Sequence, residues 1–389
     1  MGTDLTPIES IELRTVTLPL VEPFEASYGV ERSKNALIVT LRKGEILAFG
    51  ECVAGTGSSH GEETVDSAKQ VVKNRLAPNL LEDRLKTPAE FLETVEHLSG
   101  CDMAVAAAEM ALWDLQGKIE SKPLSRILGG VGVEVGACGT VGIQKTPKEV
   151  VNRVNKYLVE GYKTVKLKIK PSQDVEYVKA VRAKFPDVSL RVDANGAYRL
   201  RNLDTLKQLD KFGLSLIEQP FAQDALADHS KLRRELSTPI CLDESIRSPD
   251  DAKKAIDAEA CGVINIKPGR VRGLHRSREI HDICVDRSIP VLCGGMLETG
   301  IGRAFDVALA TLPGFTLPCD LSASHRYFKR DLILNEFQLT PNGKLTVPTG
   351  VGCGVTVDQP YFDSVTTSRE LLTEAKRFAK QKSIPEGGL

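Results

Sequence analysis

Apolar runs alternate with segments of helical periodicity from residue 137 to residue 320. About eight such runs recur roughly every 25 residues, and amphipathic segments separate them. Runs this apolar are typical of strands that are buried on both faces, as in parallel sheets. The pattern therefore predicts an α/β architecture, a TIM-type barrel of eight strands that lacks its last helix.

The chain before this repeat has a different pattern. Residues 10–50 alternate apolar and polar positions and predict strands, whereas residues 62–120 carry apolar residues at helical spacing. Strands followed by helices, without alternation, are typical of an α+β unit. A Leu-Gly-Gly-Val run at 128–131 marks the end of this unit.

Two loops of the N-terminal unit are candidates for a lid. Residues 21–35 predict a polar loop in which Phe24 and Tyr28 are exposed, and residues 54–64 are rich in Gly and Ser. Loops carry function when a rigid scaffold positions them. We expect these two to cover a site elsewhere in the chain and to select its substrate.

The C-terminal stretch returns to short elements. It predicts a pair of short strands around 337–340 and 344–347 and a final helix over 368–381. We expect this stretch to pack back on the N-terminal unit.

Composition excludes several classes of function. The chain has 389 residues, of which 41% are hydrophobic and 26% charged, and a net charge of −1. A near-neutral chain gives no sign of a nucleic-acid or anionic-membrane partner, and no apolar run approaches the roughly 18 residues of a membrane span. The N-terminus lacks the features of a signal peptide. Nine cysteines without a Cys-x-x-Cys pair fit a reduced cytoplasm, so we expect a cytoplasmic protein.

Three acidic residues close consecutive predicted barrel strands. Asp193, Glu218 and Asp243 stand at equal intervals of 25 residues. In such barrels the strand ends share one face, so the three carboxylates would repel each other in one cavity. A divalent cation removes this repulsion, and an all-oxygen ligand set favours Mg²⁺, with Mn²⁺ as an alternative ion.

Lysines flank these acids. Lys166 and Lys168 lie two residues apart in the second predicted strand, and Lys267 closes the sixth, nearly opposite. A lysine must be neutral to act as a base, and we expect the metal and the second lysine to lower its pKa. Proton abstraction next to a metal-bound carboxylate is the chemistry that this arrangement favours, because the metal stabilises the enediolate. Lys166 would orient its neighbour and polarise the substrate carboxylate.

Other residues near the strand ends complete the candidate site. Asn195 and Glu244 stand beside metal ligands, and we expect them to support these ligands by hydrogen bonds. Glu298 is expected to hydrogen-bond to Lys267. The candidate substrate-binding residues are Phe24, Tyr28, Gly295, Met296, Glu298 and Ser322.

Five motifs resemble the enolase superfamily, in its muconate-lactonising-enzyme subgroup. They are KLK (166–168), VDAN (192–195), IEQP (217–220), LDES (242–245) and NIKPG (265–269). The resemblance covers nearly the whole chain and implies a (β/α)7β barrel with an α+β capping domain built from the N-terminal region and the C-terminal tail. The implied domains are residues 1–130 for the capping domain, 131–325 for the barrel and 326–389 for the segment that packs back on the cap.

The resemblance also implies roles for residues. The metal ligands of the family map onto Asp193, Glu218 and Asp243, and its paired acid/base lysines map onto Lys168 and Lys267. Members of the family often form dimers or octamers, so a homo-oligomer that acts on a small carboxylate is expected.

Two later stretches narrow the resemblance. GGMLETGIGRA (294–304) and LPCDLSASHRY (317–327) are similar to o-succinylbenzoate synthases, especially the branch that also racemises N-succinylamino acids. This implies a syn dehydration on the menaquinone route. Racemisation as the main activity, or a muconate-cycloisomerase-like reaction, uses the same constellation and stays open. A non-catalytic paralogue that only binds is the alternative from another class.

Overall fold

The structure, a computed structural model, describes residues 4–26, 29–55, 63–81 and 85–373. Tyr28, most of the Gly- and Ser-rich loop and the end of the predicted final helix lie outside these residues. One antiparallel sheet of four strands and one parallel sheet of seven strands make up the frame.

The described elements follow the chain in this order. The strands are β1 (Ser10–Ala26), β2 (Gly29–Lys43), β3 (Ile46–Cys52), β4 (Glu134–Gly136), β5 (Cys138–Val141), β6 (Thr164–Lys168), β7 (Ser189–Asp193), β8 (Ile217–Glu218), β9 (Ile240–Leu242), β10 (Val263–Ile266), β11 (Val291–Cys293), β12 (Lys344–Thr346) and β13 (Thr366–Leu372). The α-helices are α1 (Val65–Val71), α2 (Ala77–Leu81), α3 (Pro88–Thr94), α4 (Asp102–Ile119), α5 (Leu124–Ile127), α6 (Pro147–Glu160), α7 (Val175–Lys184), α8 (Leu203–Asp210), α9 (Leu226–Glu235), α10 (Pro249–Asp257), α11 (Leu274–Asp286), α12 (Gly300–Leu309) and α13 (Gln359–Val365).

The parallel sheet is the curled wall of the barrel. Its strands run in chain order from β5 to β11, and the helices α6 to α12 alternate with them, as the 25-residue repeat predicts. The strands are short and buried along their length, since their apolar side chains meet the core on one face and the helices on the other. Helix starts are set by local chemistry: Thr146 accepts a hydrogen bond from the backbone of Glu149 at the start of α6.

The predicted eighth strand is reduced to a few hydrogen bonds that close the barrel. The Asp320 amide donates to the Cys293 carbonyl over 2.8 Å, and the Cys138 amide donates to the Leu321 carbonyl over 3.0 Å. This segment therefore bridges the two edge strands of the sheet. Pro318, just before this segment, has no amide hydrogen that could extend the ladder. The fold is the modified TIM barrel that the sequence predicted.

The four-stranded sheet forms the cap, in the order β13-β1-β2-β3. Helix α4 packs on β3 so closely that a Cβ atom at Gly50 would lie 2.0 Å from the carbonyl oxygen of Ala107. The Ala-rich sequence of α4 permits this approach because its side chains are small. The sheet and the helix are thus in close contact along this interface.

The predicted polar loop at 21–35 is mostly strand, so that prediction is wrong. Within this range β1 and β2 stay paired up to Ala26 and Gly29, with a shift of register between Pro19 and Phe24. The irregularity accommodates the prolines, which cannot donate to a regular ladder. Phe24 is also not exposed as predicted: only 8% of its surface is accessible.

The prediction of a final helix over 368–381 is wrong for its first residues, 368–372. Residues up to Leu372 form β13, which pairs antiparallel with β1 from Ile11 onward. Pairing with a sheet edge overrides the local helical preference of this segment. The 344–347 strand is confirmed as β12, but it pairs with β4 rather than with 337–340, where Leu339 makes only a bridge.

All nine cysteines are buried and free, as small apolar side chains. Across the described ranges, no helix is both long enough and apolar enough to cross a membrane.

The tight packing at Gly50 gives a test of the cap. We expect Gly50→Ala to lower the free energy of unfolding by about 3 kcal/mol, because the added methyl group forces α4 away from β3. Gly262→Ala is the matched control, since its Cβ would meet its nearest neighbour at an ordinary 3.6 Å. It should change stability by less than about 0.5 kcal/mol. Urea denaturation measures the free energy of unfolding of both variants. If Gly50→Ala and Gly262→Ala lowered it equally, the close packing of α4 on β3 would be contradicted.

Candidate active site

The register of the parallel sheet brings the predicted charged residues to one end of the barrel. Lys168 lies directly beside Asp193, and Asp193 directly beside Glu218, on adjacent strands. Asp243 follows the last residue of β9, and Lys267 follows the last residue of β10. The parallel strands have their carboxyl ends on the same face, so residues far apart in sequence become neighbours.

Lys166 is the centre of the buried charges. It has no accessible surface, and its Nζ lies 3.1 Å from Asp193 Oδ2 and 3.2 Å from Glu218 Oε2. It also forms an ion pair with Asp320. Lys166 precedes Lys168 by two residues on β6 and lies deeper in the barrel, away from the cavity that Lys168 lines. Its role in orienting Lys168 stays a prediction.

Lys168 and Lys267 both line a small cavity of about 50 Å³ at this end of the barrel. The Nζ of Lys168 lies 2.6 Å from Asp193 Oδ2 and 2.9 Å from Asn195 Oδ1. The Nζ of Lys267 lies 2.9 Å from Asp243 Oδ2. Three strands separate β6 from β10 in the sheet, so the two amines reach the cavity from different sides.

Two opposing effects act on the charge of Lys267. Burial disfavours the charge, but the attraction of Asp243 outweighs burial and raises the pKa of Lys267. The lowered pKa expected for a lysine base refers to a site that holds the divalent cation, and it stays a prediction.

The carboxylates respond oppositely to the same burial. Burial favours the neutral form of Asp193, but Lys168 and Lys166 overcome it and lower the pKa of this carboxyl. Burial and the nearby charge of Asp193 raise the pKa of Glu218 to about 7. The attraction of Lys166 lowers the pKa of Glu218 by less than burial and the neighbouring carboxylates raise it.

Asn195 and Glu244 lie where the sequence predicted, beside the acids. Asn195 accepts from Lys168 and donates through Nδ2 to Glu244 Oε1 over 2.9 Å. Its backbone has a φ of 43°, a left-handed conformation that Asn tolerates better than most residues. Both side chains line the cavity.

Sequence reasoning missed Arg270 and the role of Asp320. The Arg270 guanidinium pairs with Asp243 Oδ1 and lines the cavity, and Asp320 pairs with Lys166. Arg270 lies outside the strand pattern, in the turn after Lys267, whose carbonyl accepts from the Arg270 amide over 2.9 Å. The signal that could have found it is its position directly after the NIKPG motif.

The predicted substrate-binding residues divide into two groups. Phe24, Gly295 and Met296 line the cavity. Glu298 and Ser322 do not line it, and their assignment to substrate binding stays a prediction. Glu298 accepts from the Met296 amide rather than bonding to Lys267, and Ser322 donates to the Cys138 carbonyl. Tyr28 lies outside the described residues.

Ion pairs occupy the carboxylate oxygens of this site. Among the described residues no three His, Cys, Asp or Glu side chains converge in the arrangement of a metal centre. Lys166, Lys168 and Lys267 stand between Asp193, Glu218 and Asp243 instead.

The donor set nevertheless suits a hard cation. Asp193, Glu218 and Asp243 are fully buried and offer only oxygen. Near them, Glu244 Oε2 and Asn265 Oδ1 are buried without a hydrogen-bond partner. Buried oxygens without donors are electrostatically favourable neighbours for a cation or for water bound to it.

Comparison with known families agrees with this geometry. Residues 10–129 match the model of the mandelate racemase / muconate lactonizing enzyme N-terminal domain, and residues 149–361 match the enolase C-terminal domain-like model. The chain belongs to this branch of the enolase superfamily. The predicted family is therefore confirmed.

Curated relatives span nearly the whole chain. It is 43% identical over 360 residues to an o-succinylbenzoate synthase of Geobacillus stearothermophilus, covering 92% of this chain and 96% of that protein. It is also 43% identical over 361 residues to an N-succinylamino acid racemase of Thermus thermophilus, covering 92% and 97%. A crystal structure of an enolase superfamily member from Listeria innocua superposes with a TM-score of 0.90 at 39% identity, covering 94% and 99%.

The buried position of Lys166 predicts a large effect on stability. We expect Lys166→Met to lower the free energy of unfolding by about 3 kcal/mol at neutral pH, because it leaves three buried carboxylates without their shared cation. Lys179→Met is the control, since Lys179 pairs with Glu176 on an exposed helix face and should contribute less than about 1 kcal/mol. Thermal or urea unfolding distinguishes them. A Lys166→Met protein as stable as the Lys179→Met protein would contradict the central role of Lys166.

Proposed function

We propose that this protein is a Mg²⁺-dependent o-succinylbenzoate synthase that also racemises N-succinylamino acids. Two amines, Lys168 and Lys267, line one cavity in a chain 43% identical over 92% of its length to an o-succinylbenzoate synthase, and this observation carries the proposal. The racemase activity is included because a relative of that name matches equally well. Both reactions begin by removing a proton next to a carboxylate.

The lining of the cavity supports an anionic substrate. Among the charged residues that line it, three are positive (Lys168, Lys267 and Arg270) and two are negative (Glu244 and Asp320). This excess of positive charge favours a substrate that carries carboxylates, because opposite charges attract strongly in a low dielectric.

Asp193, Glu218 and Asp243 would hold the metal. Magnesium, when bound, supplies electrophilic stabilisation of the substrate carboxylate as its α-proton leaves. Asn195 and Glu244 fix the orientation of Lys168 and of the acids through their hydrogen bonds.

In the dehydration, Lys168 takes the α-proton on Nζ and then returns it to the departing hydroxyl. The C–H bond and the C–O bond break, a carbon–carbon double bond forms, and water leaves. Lys168 ends the cycle in its starting protonation state. Lys267 stays charged, held by Asp243, and attracts the negative charge that develops on the substrate.

In the racemisation, the same two amines exchange roles. One removes the α-proton from one face and the other delivers a proton to the opposite face. The direction depends on which enantiomer is bound. A single pair of lysines on different sides of the cavity thus serves both reactions.

The direct test is an assay of the purified protein with Mg²⁺ on both substrates. We expect dehydration of the succinyl-hydroxycyclohexadiene carboxylate, and slower racemisation of N-succinylamino acids. Lys168→Ala should lower dehydration by on the order of 10³-fold, the typical contribution of a general acid–base group. Lys170→Ala is the control, because Lys170 is two residues further along and pairs with Glu25 outside the cavity. Substantial racemisation with negligible dehydration would overturn the order of the two activities.

Metal binding can be tested without turnover. Saturating Mg²⁺ should raise the unfolding temperature, since a ligand present at 100 times its Kd stabilises the native state by about 2.7 kcal/mol. Glu218→Gln should reduce this shift, because it removes one of the three carboxylates that would hold the ion. Glu176→Gln, on an exposed helix, should leave the shift unchanged. An unfolding temperature of the unmodified protein that does not respond to Mg²⁺ would contradict the proposed metal site.

A further inference from the structure

The connection between β11 and α12 forms one wall of the cavity. Gly295, Met296 and Leu297 all line it. Leu297 has a φ of 60°, a left-handed conformation that is unfavourable for a side chain branched like leucine. Such a conformation persists only where the surroundings hold it, and it is concentrated at functional sites.

A buried lysine of the cap reaches this wall. Lys34, on β2, has 4% of its surface accessible. Its Nζ donates to the Met296 carbonyl over 3.1 Å and to the Val53 carbonyl over 3.2 Å. One ammonium group therefore joins the cap directly to the residue before Leu297. Lys34 itself does not line the cavity.

A buried glutamate of the cap holds the other end of the same connection. Glu51, on β3, accepts from the Thr299 amide over 3.0 Å, from Thr299 Oγ1 over 2.6 Å and from the Gly302 amide over 2.9 Å. These donors are at the start of α12, where backbone amides have no partner within the helix. Glu51 and Lys34 also attract each other, which offsets part of the burial of both charges.

Residues outside the N-terminal cap hold other polar groups of this connection. Glu298 accepts from the Met296 amide, Arg303 donates to the Glu298 carbonyl over 2.7 Å, and Asp331 accepts from the Gly300 amide over 2.6 Å. The Met296 carbonyl and the Thr299 amide bond to the cap instead. The strained residue, Leu297, thus lies between two points that the cap holds.

We propose that Lys34 and Glu51 are positioning residues, here called the cap clamp, which hold the Met296–Leu297 wall in the shape that receives the substrate. The clamp acts through the Met296 carbonyl and the start of α12 and touches no reacting atom. Its effect on substrate binding rests on the proposed function, whereas its effect on the wall does not. If the wall moved away from Lys34, the buried Met296 carbonyl would lose its hydrogen-bond donor and the buried ammonium group would lose an acceptor. Both losses cost free energy, so alternative positions of the wall are disfavoured.

The effect on the wall is measured by amide hydrogen exchange followed by mass spectrometry. Lys34→Met keeps the length of the side chain and removes its donors, so exchange of the amides in 296–302 should accelerate about tenfold. Lys43→Met is the matched control: Lys43 lies on the same strand and donates to the Thr6 carbonyl within the cap. It should leave exchange in 296–302 unchanged.

The effect on substrate binding is measured by steady-state kinetics well below the unfolding temperature. Lys34→Met should raise KM about tenfold and change kcat less, since it disturbs the pocket and not the amines. Lys43→Met should change neither constant. If Lys34 had a merely structural role, Lys34→Met would lower the stability of the protein without moving KM.

A second variant keeps the test decisive if Lys34→Met does not fold. Glu51→Gln preserves the shape of the side chain and replaces one of its two accepting oxygens with a nitrogen that cannot accept, so it should accelerate the same amides. Unchanged exchange in the folded variants, or equal acceleration in Lys43→Met, overturns the clamp. Faster exchange with an unchanged KM overturns its role in the pocket. If the unmodified protein turns over neither substrate, the proposed function fails, while the exchange comparison still decides whether the cap holds the wall.

Discussion

The burial of opposite charges at one end of the barrel is the constraint on which the site depends. Carboxylates removed from water are stable only when cations or hydrogen-bond donors replace that water. Lys166 meets this need for Asp193, Glu218 and Asp320 at once. The parallel register makes this arrangement possible, because it brings the ends of strands that are 25 residues apart in sequence into contact. The order of the strands therefore determines which charged side chains lie next to each other in the site.

The sequence was informative where a local pattern repeats. The barrel repeat predicts its strands and helices, and the acids that close consecutive strands predict which carboxylates meet. Lys168 and Lys267 could be found in the same way, because each ends a recognisable apolar run. These features depend only on the period of a strand and on the common direction of parallel strands.

Features that depend on contacts between distant segments could not be predicted in this way. β13 forms because β1 offers a free edge, which nothing in the sequence of 366–372 reveals. The extension of the first hairpin depends on pairing across a bulge, and Arg270 reaches Asp243 only through the turn after β10. Glu298 was assigned to Lys267 by sequence position, whereas folding turns it toward the Met296 amide.

Asp193 and Asp243 have two partners on the proposed function: the divalent cation and a lysine. In the ion-paired arrangement, Asp193 pairs with Lys168 and Asp243 pairs with Lys267. A carboxylate shared between a lysine and a divalent cation would attract the lysine less, because part of its negative charge would already be offset. The acids that would hold the ion are therefore also the groups that position the two amines, so a substitution of either acid would disturb both roles.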